Sequence, residues 1–168
     1  MSYHANEASA LTFAREVLPH IWAQDPEVRF QVVGKDPTEA IQRLAADERI
    51  EVTGTVPDLR PYLSGAAVAV CPAPYAVGIQ NKVLEAMAMA VPVVCTAAAA
   101  AGTEARSGEE FLVANAPETF AARVLQVMSD DALAARLAAA GRRYVERHHS
   151  WEASSHPLVG VYARPLRK

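Results

Sequence analysis

Apolar positions along the chain switch repeatedly between two spacings, and the switching predicts strands and helices in turn. Short apolar runs, most of them followed by Gly, Pro or Ala, predict strands at 30–33, 50–53, 67–71, 91–96 and 111–113. Between these runs, apolar residues recur every three or four positions, which predicts helices at 7–23, 38–46, 58–63, 81–89, 117–128 and 130–146. Strands that alternate with helices are typical of an α/β fold with a doubly wound, Rossmann-like parallel sheet.

Four segments carry more specific expectations. Asn6 or a neighbour is expected to cap the first helix, and Pro19 is expected to disturb that helix, because proline lacks an N–H and crowds the preceding turn. The uninterrupted apolar run of residues 67–71 predicts a strand covered on both faces. The alanine run at 97–101, which ends at Gly102, is expected to be a loop.

Composition and charge limit the function classes. Hydrophobic residues make up 51% of the 168 residues, which is enough for a packed core. The net charge of −3 and the 7% aromatic content argue against nucleic acid as a partner. The sequence has no apolar run long enough for a membrane span and no leader pattern, so a cytoplasmic protein is expected.

The length favours one main domain, residues 1–150, followed by a C-terminal helix and basic tail at 151–168. Cys71 and Cys95 end apolar runs, so we expect buried, reduced thiols rather than a disulfide. Neither cysteine has a Cys or His partner at ligand spacing, and no metal site is predicted. The adjacent His148 and His149 are expected to end a helix rather than to form a catalytic site.

The segment from Gly78 to Glu85 is the strongest candidate for chemistry. A glycine-led loop enters a helix, and the first turn of a helix offers unpaired N–H groups that attract phosphate. A carboxylate one to two turns later, at Glu85, can accept hydrogen bonds from sugar hydroxyls. The pattern therefore fits a nucleotide or nucleotide sugar, although an ordinary amphipathic helix with a solvated glutamate fits the spacing equally well.

A family resemblance favours the first interpretation. The segment GIQNKVLEAMAMAVPVV resembles the donor-site segment of retaining glycosyltransferases of family 4, which have the GT-B fold. It is most similar to sugar transferases associated with the exosortase/PEP-CTERM exopolysaccharide system. The likeness continues through FQVVGKDP, IEVTGTVPDLRPYLSGAAVAVCPAP, FLVANAPETFAARV and YVERHHSWEAS, and so spans nearly the whole chain.

The resemblance implies a single half of a GT-B fold, the half that binds the donor. The donor would be a UDP- or GDP-sugar, and no further cofactor is implied. The N-terminal acceptor domain is absent from the resemblance, and even the first strand of the donor half, which in the family precedes Met1, looks cut short. The chain is therefore expected to be a fragment, a truncated gene product or one subunit of a split enzyme, inactive by itself. The missing domain, or a separate polypeptide that carries it, is the expected partner.

The resemblance also implies roles for individual residues. Gly54 and Thr55 would hold the nucleotide base through backbone groups. Lys82 and Glu85 are the expected catalytic residues: Lys82 would add positive charge near the diphosphate, and Glu85 would hold the ribose hydroxyls. The diphosphate itself would lie against the loop and helix start formed by Gly78, Ile79, Gln80 and Asn81.

Three departures from the family pattern leave a second hypothesis open. Val77 stands where a glutamate normally faces the donor sugar, and Ala90 stands where glycine normally forms a left-handed helix end. The usual Arg and Lys pair of the early loop is missing, and Lys35 is its nearest substitute. The alternative to an enzyme half is thus a degenerate, non-catalytic nucleotide-binding or protein-interaction module. His4, near the expected cleft, is a weak further candidate.

Overall fold

The computed structural model describes residues 4–76 and 78–150. The strands are β1 (Phe30–Val33), β2 (Ile50–Gly54), β3 (Ala69–Cys71), β4 (Val93–Cys95) and β5 (Leu112–Val113). The helices are α1 (His4–Thr12), α2 (Leu18–Trp22), α3 (Glu39–Gln42), α4 (Arg60–Ser64), α5 (Asn81–Ala88), α6 (Ala97–Ala100), α7 (Pro117–Ser129) and α8 (Asp131–His148). The predicted α/β fold is confirmed, and the predicted elements from 151 onwards lie outside the described residues.

The strands form two separate parallel sheets rather than one. β1 pairs with β2, with Phe30 opposite Ile50, and β3, β4 and β5 pair in that order, with Val70 opposite Val94. Among the strands described, β1 and β3 are thus both end strands. The fold is consistent with one Rossmann-like half whose sheet is interrupted between β1 and β3.

Helices cover both faces of the β3–β5 sheet, as a doubly wound fold requires. Successive side chains of a strand point to opposite faces. Val94 of β4 accordingly packs into a core with α2 and α7, whereas Val93 and Cys95 pack into a second core with α5. All three residues are fully buried, which makes β4 the centre of the fold.

The first helical segment contains a wider turn in front of its proline. Residues Phe13–Val17, between α1 and α2, form a π-helical turn in which the N–H of Leu18 donates to the carbonyl of Phe13. Pro19 would crowd the carbonyl four residues earlier in a regular α-helix, and the wider turn relieves that contact. The disturbance predicted at Pro19 is confirmed. Asn6, expected as a cap, instead lies inside α1.

The alanine run was expected to be a loop, and that prediction was wrong. Residues Ala97–Ala100 form the short helix α6. Its start is capped twice: Thr96 Oγ1 accepts from the N–H of Ala99 at 3.2 Å, and Asn115 Oδ1 accepts from the N–H of Ala97 at 2.9 Å. Because Asn115 is distant in sequence, this second cap exists only in the folded chain.

The strand predicted at 67–71 has both faces covered but is less buried than β4. Residues 69–71 form β3, but Ala67 is exposed and Val68, Ala69 and Val70 are only half-buried, whereas β4 is fully buried. Val70 packs against the first core and Cys71 lies in the second, so the prediction of a strand covered on both faces is confirmed. The strand is less buried than β4 because β3 is an end strand with β4 on one side only. In the described part of the chain, no helix is both long and apolar enough to cross a membrane.

Candidate functional site

A cavity of about 800 Å³ runs along the edges of β1 and β3 and reaches their carboxyl ends. Lys82 and Glu85 from α5 line it, together with Gly34, Lys35 and Pro72 from the strand ends. Ligands of open α/β folds bind at this end of the strands. The structure therefore brings together two of the predicted site residues, and six others lie outside the lining: Gly54, Thr55, Gly78, Ile79, Gln80 and Asn81.

Gly78 begins the loop before α5 in a backbone conformation that suits glycine. Its φ is +67°, and a Cβ added there would meet no atom within 4 Å. The loop is open to solvent, and the large apolar side chain of Ile79 is 46% exposed. Gly78 is therefore required for its backbone angle rather than for space. Val77, which departs from the family pattern, lies outside the described residues.

The backbone of Gly102 packs directly against this loop, a contact that the sequence did not predict. A Cβ on Gly102 would lie 2.4 Å from the carbonyl oxygen of Gly78 and 2.7 Å from the nitrogen of Ile79. Both distances are shorter than real Cβ contacts allow, so the loop rests on the bare backbone of Gly102. In the sequence, this contact is marked by nothing more than a glycine at the end of the alanine run, and a glycine alone does not indicate which residue it packs against.

The helix α5 presents free amides at its start. Gln80 is the N-cap residue and makes no side-chain cap hydrogen bond. Its carbonyl instead accepts from the N–H of Val83 at 2.9 Å. The amides of Asn81 and Lys82, in the first turn, have no acceptor within the helix. With the helix dipole, they offer a place for an anion beside Gly78.

The end of α5 confirms the predicted left-handed position. Ala90 has a φ of +55°. Its N–H donates to the carbonyl of Met87 at 2.9 Å, and the N–H of Val91 donates to that of Ala86 at 3.0 Å. These two bonds form a Schellman motif, which usually takes glycine at this position. Ala90 is therefore strained by its side chain.

Lys82 and Glu85 lie three residues apart and therefore share one side of α5. The ammonium group of Lys82 donates to Asn6 Oδ1 of α1 at 2.6 Å. Glu85 is exposed, and among the described residues its carboxylate makes no hydrogen bond or ion pair. The pair thus offers a tethered cation and a free acceptor on the same wall of the cavity.

The base-side residues predicted from the resemblance lie on a different strand. Gly54 ends β2 with a φ of +69°, and Thr55 is exposed beside it. Since β2 pairs with β1 while α5 packs against β3 and β4, the two groups of predicted residues belong to the two separate sheets. The distance between the base-side residues and the residues of α5 therefore depends on the width of the gap between β1 and β3.

The cysteines are buried and unbonded, as predicted. They face each other across β3 and β4. Burial raises the pKa of the Cys71 thiol, an effect that the nearby Lys82 ammonium partly opposes. Burial likewise raises the pKa of the Cys95 thiol, to about 12. Both thiols are held in their neutral, unreactive form.

The three histidines singled out in the sequence, His4, His148 and His149, lie in two places. His4 Nδ1 lies 2.5 Å from the hydroxyl of Tyr75, whose ring stacks on the imidazole. His148 ends α8 and stacks on Tyr144 at 4.8 Å between ring centroids. The hydroxyl of Tyr144 in turn accepts from the N–H of Glu104. The prediction that His148 and His149 end a helix is confirmed. Lys35, which lines the cavity, forms an exposed 3.8 Å ion pair with Asp36.

The sequence profile of the family described as "Glycosyl transferases group 1" matches residues 1–130. The chain belongs to this family. No curated protein matches it.

Solved structures agree on the fold. TarM from S. aureus superposes with a TM-score of 0.79 at 17% identity, over 96% of this chain and 33% of TarM. Anabaena Alr3699/HepE, solved with UDP, gives 0.76 at 14% identity, over 88% of this chain and 44% of HepE. Sucrose-phosphate synthase from Thermosynechococcus elongatus gives 0.72 at 26% identity, over 88% and 41%. This chain spans about a third of TarM and less than half of the other two. These neighbours show a GT-B-type α/β half.

Proposed function

We propose that this chain is the donor-binding half of a retaining glycosyltransferase that transfers a hexose from a UDP- or GDP-sugar to a glycan or lipid-linked acceptor. The proposal rests chiefly on one observation. Lys82 and Glu85 share a wall of the cavity at the carboxyl ends of the strands, one turn after the open Gly78 loop. UDP bound in structural neighbours such as HepE supports the same class of ligand.

The site residues would divide the nucleotide sugar between them. The diphosphate would lie against Gly78 and the first-turn amides of α5, and Lys82 would balance its charge as it leaves. Glu85, with its free carboxylate, would accept hydrogen bonds from the ribose hydroxyls. Gly54 and Thr55, at the end of the β1–β2 sheet, would hold the base.

The assignments of the family, the pathway, the cellular location and the domain boundaries are also proposals. By sequence resemblance, the whole enzyme would belong to family 4 and act in exopolysaccharide biosynthesis of the exosortase-associated type, in the cytoplasm. The acceptor domain would be supplied by the polypeptide that carries the other half. Residues 1–150 would form the donor domain and 151–168 an appended helix and tail.

The decisive experiment is a titration of the purified chain with UDP, GDP and their sugars by calorimetry. Glu85→Ala should weaken nucleotide binding by about 1–3 kcal/mol, the usual scale for a hydrogen bond to a charged group. Glu85→Gln should lose less, because its amide oxygen still accepts one bond. The unfolding free energy should hardly change, because Glu85 is exposed and its side chain makes no hydrogen bond or ion pair among the described residues.

The proposed contact between Glu85 and the ribose hydroxyls can be tested separately with a nucleotide that lacks those hydroxyls. The 2′,3′-dideoxy nucleotide should bind the wild-type chain poorly, and Glu85→Ala should not distinguish it from the normal nucleotide. If wild type and variant discriminate equally against the dideoxy ligand, Glu85 is not the ribose contact.

The second candidate is a non-catalytic module, and the identity of Val77 favours it, because valine cannot accept a hydrogen bond from the donor sugar. This hypothesis predicts no detectable binding of any nucleotide sugar at millimolar concentration. The same titration therefore separates the two candidates.

A further inference from the structure

One hydrogen bond joins two helices that lie far apart in the sequence. The ammonium group of Lys82, in the first turn of α5, donates to Oδ1 of Asn6, in α1, at 2.6 Å. Both residues line the cavity, and both are half-buried. The charged end of Lys82 is therefore held at one place in the cavity wall, unlike that of a lysine whose side chain extends freely into solvent.

This bond leaves the positive charge of Lys82 uncancelled. The side-chain amide of Asn6 is neutral, and among residues 4–76 and 78–150 no carboxylate forms an ion pair with Lys82. An ammonium group has three N–H donors, so two donors remain for another acceptor. A carboxylate at position 6 would hold the ammonium as well, but it would cancel the charge and compete with any anion that approaches.

The charge of Lys82 lies near the carboxyl end of β3. It acts on the thiol of Cys71, the last residue of that strand, where it partly opposes the rise in pKa that burial causes. The unpaired amides of Asn81 and Lys82 are in the same first turn of α5, where the helix dipole is positive. The ammonium group and the helix start therefore add their positive charge at one end of the cavity.

Asn6 is itself held in place by its helix. Its neighbour Glu7 accepts a hydrogen bond from the hydroxyl of Thr38 at 2.7 Å, which ties α1 to the start of α3. Further along the same helical segment, Ala10 and Phe13 are buried in the first core. A flexible lysine loses much rotational freedom when it binds a ligand, and a fixed partner removes part of that loss in advance.

We propose that Asn6 is a positioning residue, which fixes the Lys82 ammonium in the cavity as an uncancelled cation for the diphosphate of the nucleotide sugar. The inference rests on the proposed function for the identity of that anion. Asn6 acts through Lys82 rather than through contact with the ligand. An amide suits this role because it holds the cation without neutralising it, which neither an apolar side chain nor a carboxylate does.

Calorimetry of the whole chain with UDP and uridine (GDP and guanosine, if GDP binds more tightly) tests this role. Asn6→Asp, nearly isosteric, should weaken UDP binding by about tenfold or more and leave uridine binding unchanged. Raising the salt concentration should weaken UDP binding to wild type more than to Asn6→Asp, because the variant has lost the net charge at this place. The matched control Gln24→Glu makes the same exchange of amide for carboxylate at an exposed position outside the cavity, and should bind UDP as wild type does.

A double-mutant cycle shows whether Asn6 acts through Lys82. Asn6→Ala releases the ammonium group and should weaken UDP binding by about threefold or more in the wild-type background. Lys82→Met removes the cation, and in that background Asn6→Ala should change UDP affinity no further. If Asn6 serves only to hold α1 against α5, the same loss should appear in both backgrounds, and the proposal is then wrong.

The position of Lys82 can also be measured without a nucleotide. In proton–nitrogen NMR spectra, the Lys82 ammonium of wild type should exchange slowly with water, and Asn6→Ala should lose that protection. If wild type binds neither UDP nor GDP, the proposed function and the diphosphate assignment fail, while the ammonium signal still decides whether Asn6 fixes Lys82. The role of Asn6 is overturned if Asn6→Asp binds UDP as wild type does, or if Asn6→Ala keeps the protected ammonium signal.

Discussion

Replacing Gly102 by alanine should damage the proposed phosphate loop without touching the ligand. The new Cβ would lie 2.4 Å from the carbonyl oxygen of Gly78, whereas ordinary contacts begin at 3.4 Å, so the two segments must separate by about 1 Å. Gly102 itself has no left-handed φ, and its requirement for glycine is therefore one of space alone. Overpacking of this kind destabilises by about 1–3 kcal/mol unless the neighbour gives way.

The exposed loop is the segment that can give way, because Gly78 and Ile79 are open to solvent. Gly102→Ala should then shift the Gly78 amide away from the start of α5 and weaken UDP binding at least tenfold, which corresponds to about 1.4 kcal/mol. Uridine, which lacks the diphosphate, should bind as it does to wild type. Calorimetry with UDP and uridine, together with urea unfolding, measures both effects.

A matched control is Gly65→Ala. Gly65 has a φ of −88°, and its added Cβ would meet its nearest neighbour at an ordinary 3.4 Å, so this variant should leave both binding and stability nearly unchanged. The reasoning fails if Gly102→Ala keeps both the wild-type unfolding free energy and the wild-type UDP affinity. It also fails if UDP and uridine lose affinity equally, because the loss would then not lie at the phosphates.

Two further predictions concern stability. Ala90→Gly should raise the unfolding free energy by about 0.5–1 kcal/mol, because glycine relieves the strain of the positive φ but loses part of that gain to a more flexible unfolded chain. Urea unfolding should show the opposite sign for Ala88→Gly, at the last residue of α5. Stability should also fall as the pH rises above about 9, because the thiols ionise there in the unfolded chain, whereas the pKa of Cys95 in the folded chain is about 12. Below pH 9 both states hold the proton and the thiols contribute no pH dependence; a midpoint in urea that stays constant from pH 9 to 11 would contradict this.

Local patterns in the sequence were sufficient for the elements and for parts of the site. Apolar spacing located the five strands and most helices, because burial of a strand or of one helix face imposes its own period. The glycine-led start of α5 was also predictable, since it depends on residues a few positions apart, whereas the left-handed position of Ala90 was indicated by the family resemblance. Whether Lys82 and Glu85 hold a nucleotide sugar stays a prediction.

Contacts between distant segments could not be predicted in this way. The cap that Asn115 provides to α6, the bond from Lys82 to Asn6 and the close approach of Gly102 to Gly78 all join residues far apart in sequence. The interrupted sheet is the clearest case. The apolar run around β3 predicted a strand covered on both faces, which is a statement about its own side chains. Which strands lie beside it depends on pairing across the whole fold, and only the tertiary structure shows that one neighbour is absent from the described chain.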